Sequence, residues 1–227
     1  MASLKELFEK GTGGRSHKWH HYFEIYERHF NKFENTKSTY LEIGVGGGGT
    51  LDIMREYLGK ESRIVGVDID ESLKSYAGEG KEMFIGDQAD IGFLNSVVSA
   101  AGPFDIIVDD GGHTGDQQIT SFLTLFPHLN YGGIYLVEDL HTTFWLGHQN
   151  SRYGINFYDF ARGLVEKMSL WNVDIRLMQR YSVPPEQRPP GVQINNFALT
   201  EIFGIHFYDS ICVIEKRKIP EPSVTRS

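Results

Sequence analysis

The chain has 227 residues, 40% of them hydrophobic, a formal net charge of −8 and one cysteine. This composition suits a single packed domain, and without a basic stripe to neutralise phosphates it argues against nucleic acid or an anionic membrane as partner. Cys212 lies in the apolar run Ile211 to Ile214, so no intramolecular disulfide is available. The charged, amphipathic start and the lack of any long apolar run predict a soluble, cytoplasmic protein with no leader or membrane span.

In chain order, Leu4 to Lys10 and Lys18 to Phe33 carry helix-period patterns, separated by the GTGGRS loop at 11–16. From Thr39 onward short apolar runs alternate with amphipathic ones. TYLEIGV is followed by Leu51 to Leu58, RIVGV at 63–67, a short helix, EMFI at 82–85 and Ile91 to Ala101. FDIIV at 104–108, Gln117 to Phe126 and Gly133 to Val137 continue the series. Such βαβα alternation predicts an α/β, doubly wound and mostly parallel sheet. A helix is expected at Asn156 to Met168. Pro184, Pro185, Pro189 and Pro190 then exclude regular structure, and the region around 169–200 reads as a lid or substrate loop. Glu201 to Tyr208 and Ser210 to Lys216 read as an antiparallel hairpin at the sheet edge. The whole is expected to be one domain: an N-terminal helical segment 1–36, a core 37–217 and a flexible tail 218–227.

The run LEIGVGGGG at 41–49 follows a strand and opens a helix, where glycines permit sharp turning and close approach to a ligand. Gly44, Gly46 and Gly49 satisfy G-x-G-x-x-G, and Asp68 ends the next strand, so an NAD(P) site is a real alternative. Glu42 favours a different ligand, because an acid two residues before the first glycine repels a pyrophosphate but tolerates a sulfonium and an ammonium. S-adenosylmethionine is therefore the expected cofactor. Asp68 is placed on its ribose hydroxyls and Asp87 and Gln88 at its adenine, against a helix-capping role for either aspartate. No Tyr-x-x-x-Lys pair supports a reductase.

Two acidic pairs, Asp109-Asp110 and Glu138-Asp139, each close an apolar run, at the strand tips where α/β sheets carry their chemistry. Carboxylates crowded on one sheet edge repel one another unless a cation sits among them. Asp110, Glu138 and Asp139 make a hard, incomplete octahedral shell suited to Mg2+, with positions left for water or a substrate diol. Asp109 is counted with Gly44 among the cofactor-facing residues. His113, three residues after Asp110, is the candidate general base. His17, His20 and His21 share a helical face, but their spacing without cysteine is weak for zinc. Trp145 and Tyr153 are candidates for a sugar or aglycone face, or for core packing.

Taken together, LEIGVGGGGTL, VGVDID, GDQAD, FDIIVDDGGHT, LFPHLNYGGIYLVEDLHTTFW and IHFYDSICVIEK resemble the metal-dependent class I methyltransferases that O-methylate deoxysugars of macrolide antibiotics. A group named cephalosporin hydroxylase is related to them. The resemblance spans roughly Thr39 to Lys216, apart from 184–195. It implies a Rossmann-like, seven-stranded class I methyltransferase fold, Mg2+ on Asp110, Glu138 and Asp139, His113 as base, and cofactor contacts from Glu42, Asp68, Asp87 and Gln88. The segment GTGGRSHKWHHYFEIYERHF looks like the family's Gly-Thr-Asp-Lys stretch followed by His and Tyr, which closes over the cofactor. Here Gly13 and Gly14 stand at the acid and lysine positions, and Gly112 replaces a common serine. The expected activity is O-methylation of a sugar hydroxyl in a glycosylated natural product or surface glycan, with a glycoside or polyol substrate and a dimeric assembly. An NAD(P)-dependent oxidoreductase and a non-catalytic cofactor-binding protein of the same fold are the alternatives.

Overall fold

The computed structural model describes residues 2–11, 14–78, 80–149, 151–168 and 197–220. Helices α1 (Leu4–Lys10) and α2 (His20–Phe30) precede β1 (Thr39–Ile43), α3 (Gly49–Leu58), β2 (Arg63–Asp68), β3 (Lys81–Ile85) and α4 (Ile91–Ala101). Then follow β4 (Phe104–Asp109), α5 (Gly115–Leu125), β5 (Leu129–Val137), α6 (Phe157–Met168), β6 (Ile202–Phe207) and β7 (Cys212–Lys216). The strands form one seven-stranded sheet in the order β3-β2-β1-β4-β5-β7-β6. β1 to β5 pair in parallel, and β7 runs antiparallel to both β5 and β6. The α/β, doubly wound fold with a C-terminal hairpin is thus as expected, although β7 rather than β6 joins the core.

Burial on both faces explains why the central strands read as continuous apolar runs. One core packs Leu41, Ile43, Phe104, Ile107, Tyr135 and Val137 against α4, α5 and α6. The other packs Tyr40, Ile106, Val108, Ile134 and Leu136 against α1, α2 and α3. Alternation along each strand therefore assigns the acids at its tip to one face or the other. Glu42 continues from Tyr40, Asp110 from Val108 and Glu138 from Leu136, all toward α2. Asp109 continues from Ile107 and faces the other way.

The strand order reverses between β1 and β4, which opens a crevice at their carboxyl ends. The register sets Ile43 beside both Val67 and Asp109, and Asp109 beside Val137, so all the candidate site residues gather on one sheet edge.

Helix α2 starts two residues later than the sequence pattern suggests, with extended backbone at Trp19 and no side-chain cap. Lys18, just ahead of the helix, reaches the acids at the sheet edge, donating to Asp110 and Glu138. Asn31–Phe33 follows as a 3-10 turn. Most of the expected lid, including its prolines, and the tail beyond 220 lie outside the described residues; Phe197–Thr200 is a single helical turn. Among the described residues no helix is long and apolar enough to cross a membrane.

Candidate active site

The glycine loop leaves β1 through Gly44, whose φ is +83° and whose α-carbon faces the Asp110 carbonyl so closely that a Cβ would collide with it. Only glycine serves there. Asp68, at the tip of β2, accepts hydrogen bonds from the Val45 and Gly46 amides at 2.9 and 3.1 Å and from Asp70 N at 3.0 Å. It thereby fixes the loop while lining a cleft of about 280 Å³ with Gly44, Asp87, Gln88, Asp110 and Gly112. Asp87 is exposed and accepts from Ala89 N at 2.8 Å through one carboxylate oxygen, an Asx turn.

Gln88 is committed more fully. Its amide donates to Asp109 Oδ1 at 2.9 Å and to Ser121 Oγ at 3.1 Å, and its Oε1 accepts from Gly112 N at 2.8 Å. Both amide hydrogens are spent within the protein, so Gln88 shapes the cleft wall through Gly112. Asp109 is fully buried behind it, pushed up to about 6 by burial, and meets the cleft wall through Gln88 and through the Gly111 amide, which donates to it at 3.4 Å. Glu42 also stands behind the cleft: it is 1% exposed and pushed up to about 8 by burial, with Lys18 opposing that shift.

On the α2 side of the cleft, Asp110, His113 and Asp139 each offer a ligand atom, all within 4.8 Å of one another, the one such group among the described residues. His113 Nε2 lies 3.9 Å from Asp110 Oδ1 and 3.8 Å from Asp139 Oδ2. Both His113 and Asp139 adopt left-handed backbone, φ 58° and 52°, which turns their side chains back toward Asp110. Burial holds the imidazole below its usual pKa, although Asp110 and Asp139 pull the other way. Gly112 is tied to this geometry, because a Cβ there would strike the Gln117 amide that closes the capping box of α5.

Glu138 does not join that group. It is 1% exposed, and Lys18 Nζ donates to its Oε1 at 2.7 Å while the Tyr26 hydroxyl donates to the same oxygen. Burial raises its pKa, and Lys18 works against the rise. The metal set expected from sequence is therefore split: Asp110 and Asp139 converge with His113, and Glu138 is held aside beneath α2. The two aspartates alone still offer hard oxygens that fit a divalent cation, and the imidazole stands beside them with its Nε2 toward both and its Nδ1 buried without a hydrogen-bond partner among the described residues.

Three residues of the N-terminal segment that the sequence reading left out complete the site. Lys18 Nζ donates to Asp110 Oδ2 at 2.5 Å as well as to Glu138, and Tyr22 donates to Asp139 Oδ1 at 2.6 Å. Tyr22 and Tyr26, four residues apart, share one face of α2, whereas Lys18 precedes the helix and gave no such signal. The cation of this segment comes from Lys18, not from position 14. Gly14 and Arg15 instead lie along the glycine loop, with the Arg15 amide donating to Gly47 O and Gly49 N donating to Arg15 O, both at 3.1 Å. The three histidines do not form a site: His17, His20 and His21 are exposed, and none belongs to a ligand group among the described residues. Trp145 is half exposed and packs edge-on to His141, which stacks on Trp19 at 4.6 Å. Tyr153 shares a hydrogen bond with Thr120 at 3.1 Å.

No family model matches the chain. The chain is 40% identical over 220 residues to an 8-demethyl-8-alpha-L-rhamnosyl tetracenomycin-C 2'-O-methyltransferase from Streptomyces olivaceus, covering 89% of this chain and 52% of that protein. It is 33% identical over 211 residues to a demethylmacrocin O-methyltransferase from Streptomyces fradiae, covering 88% and 50%. Among solved structures it is similar to the MycE methyltransferase of mycinamycin biosynthesis in complex with Mg, SAH and mycinamycin VI, with TM-score 0.77, 28% identity, and coverage of 99% of this chain and 56% of that one. The chain thus spans about half the length of the curated relatives it matches. Over that half, its sequence and fold show that it belongs to the family of natural-product sugar O-methyltransferases.

Proposed function

We propose that this protein is an S-adenosylmethionine- and divalent-metal-dependent O-methyltransferase that methylates a sugar hydroxyl of a glycosylated natural product. The observation that carries the reading is the convergence of Asp110, Asp139 and His113 beside the glycine-loop cleft. Its relatives are named as O-methyltransferases of demethylmacrocin and of a rhamnosyl tetracenomycin C, and the MycE complex contains Mg, SAH and mycinamycin VI.

The cleft residues Gly44, Asp68 and Asp87 bind the cofactor, and Gln88, Asp109 and Glu42 brace the cleft from behind. Asp110 and Asp139, with Glu138 when it is released toward them, hold a Mg2+ ion, which supplies Lewis acidity toward the acceptor hydroxyl. His113, kept neutral by burial, receives the hydroxyl proton at Nε2. The acceptor oxygen forms a bond to the methyl carbon as the carbon–sulfur bond breaks, leaving S-adenosylhomocysteine. Since this is an in-line displacement, the chain's main contribution is to hold the oxygen and the methyl group in line.

A thermal-shift titration and a transfer assay test the reading. S-adenosylhomocysteine is expected to raise the melting temperature and NAD(H) to leave it unchanged. Label from methyl-labelled cofactor is expected to reach a glycoside in a panel of rhamnosides and related deoxysugar conjugates, and excess EDTA to stop it. Stabilisation by NAD(H) alone would replace the reading with an oxidoreductase. Undiminished transfer in EDTA would remove the metal.

A further inference from the structure

Lys18 has no part in the methyl-transfer chemistry above, yet it is the most tightly held cation near the site. Its side chain is 2% exposed, with Nζ 2.5 Å from Asp110 Oδ2, 2.7 Å from Glu138 Oε1 and 4.0 Å from Glu42 Oε1. The ammonium therefore lies between two of the three carboxylates assigned to the metal. Glu42 is as deeply buried as Glu138, but its Oε2 has no hydrogen-bond partner among the described residues. One ammonium thus lies among three inward-facing acids, bonded to two, with an unsatisfied oxygen of the third close by. A buried carboxylate oxygen without a donor is costly, so a second position for this ammonium is already built into the site.

An ammonium and a divalent ion compete for the same carboxylate lone pairs between Asp110 and Glu138. On the metal-dependent reading given above, we propose that Lys18 is a competing counter-ion that sets the metal affinity of the site. It holds Asp110 and Glu138 until a divalent cation binds, and then passes its ammonium to Glu42. Glu138 is thereby freed to join Asp110 and Asp139, and the buried Glu42 keeps a cationic partner. The lysine follows three residues after Arg15, whose backbone is paired with Gly47 and Gly49, so its movement is tied to the segment that lies along the glycine loop.

Manganese titration by water-proton relaxation, on the full chain without cofactor, tests this. Lys18→Met is expected to bind Mn2+ about tenfold more tightly or better, since no ammonium competes. Glu42→Gln is expected to weaken Mn2+ binding several-fold in the wild-type background and to have no such effect in the Lys18→Met background, because its role is to receive the lysine. Equal or weaker binding by Lys18→Met would overturn the proposal and make Lys18 a supporting residue, with His113 as the third ligand. An equal Glu42→Gln effect in both backgrounds would also overturn it, leaving Glu42 as a distant charge. Should Lys18→Met not fold, Lys18→Arg decides: its forked cation is expected to grip both acids and weaken Mn2+ binding, and unchanged affinity refutes competition. A wild-type chain that binds no Mn2+ with or without S-adenosylhomocysteine brings down the metal reading itself, and this proposal with it.

Discussion

His113 shows how much of the site depends on a single backbone conformation. A left-handed histidine is strained, and here Thr142 Oγ1 donates to its carbonyl at 3.2 Å while α5 begins immediately after it. The geometry aims Nε2 at the two aspartates, and burial keeps the ring neutral near pH 7. His113→Ala is expected to lower kcat about 10²- to 10⁴-fold, the usual range for loss of a general base. Affinity for S-adenosylhomocysteine, measured by calorimetry, is expected to be unchanged because the ring does not line the cofactor cleft. A parallel loss of affinity would make His113 a structural post. The acids beside it were legible as residues, since two acidic pairs closing two apolar runs mark strand tips. Their division between faces follows from the alternation within FDIIV and IYLV, which turns Asp110 and Glu138 toward α2 and Asp109 away. The orientation of Asp139 was not legible, because its left-handed turn breaks that alternation.

At the scale of elements, α5 and α2 hold the site from opposite ends. α5 opens with a reciprocal cap in which Thr114 Oγ1 accepts from Gln117 N and the Gln117 side chain accepts from Thr114 N. The cap sits directly after His113, so it fixes both the helix and the base. Thr114→Ala is expected to cost about 1 kcal/mol in a urea titration and to reduce kcat more than KM, since the loosened turn lets the imidazole drift. Loss of stability with unchanged kcat would show that the turn holds His113 without the cap. Helix α2 carries Tyr22 and Tyr26 onto Asp139 and Glu138. Its amphipathic period was readable in sequence, but its true start was not, because Lys18 takes its conformation from partners far along the chain.

Across the whole molecule, packing of α2 on the C-terminal hairpin buries His29, whose Nε2 lies 2.9 Å from the Tyr208 hydroxyl. Burial, reinforced by the nearby His206, holds its pKa down to about 4. The unfolded chain, with an ordinary histidine near 6.5, binds more protons than the folded one between those values. Stability from this neutral histidine is therefore fully present above about pH 6.5 and is lost as pH falls through about 4. In urea titrations the stability advantage of the wild type over His29→Gln is expected to shrink by about 1–2 kcal/mol between pH 7 and pH 4. A gap that stays constant would mean that His29 titrates alike in both states.

The sequence by itself determined the succession of strands and helices, the crevice at the carboxyl ends and the acids that reach it, because apolar period, glycine placement and strand alternation act over a few residues. Only the tertiary structure decided that Lys18 lies between Asp110 and Glu138, 92 and 120 residues away, and that the Tyr26 hydroxyl donates to Glu138. No local pattern encodes which cation reaches a buried acid; that follows from how α2 packs across the sheet, and from the energy a buried carboxylate gains when a charge comes within hydrogen-bonding distance.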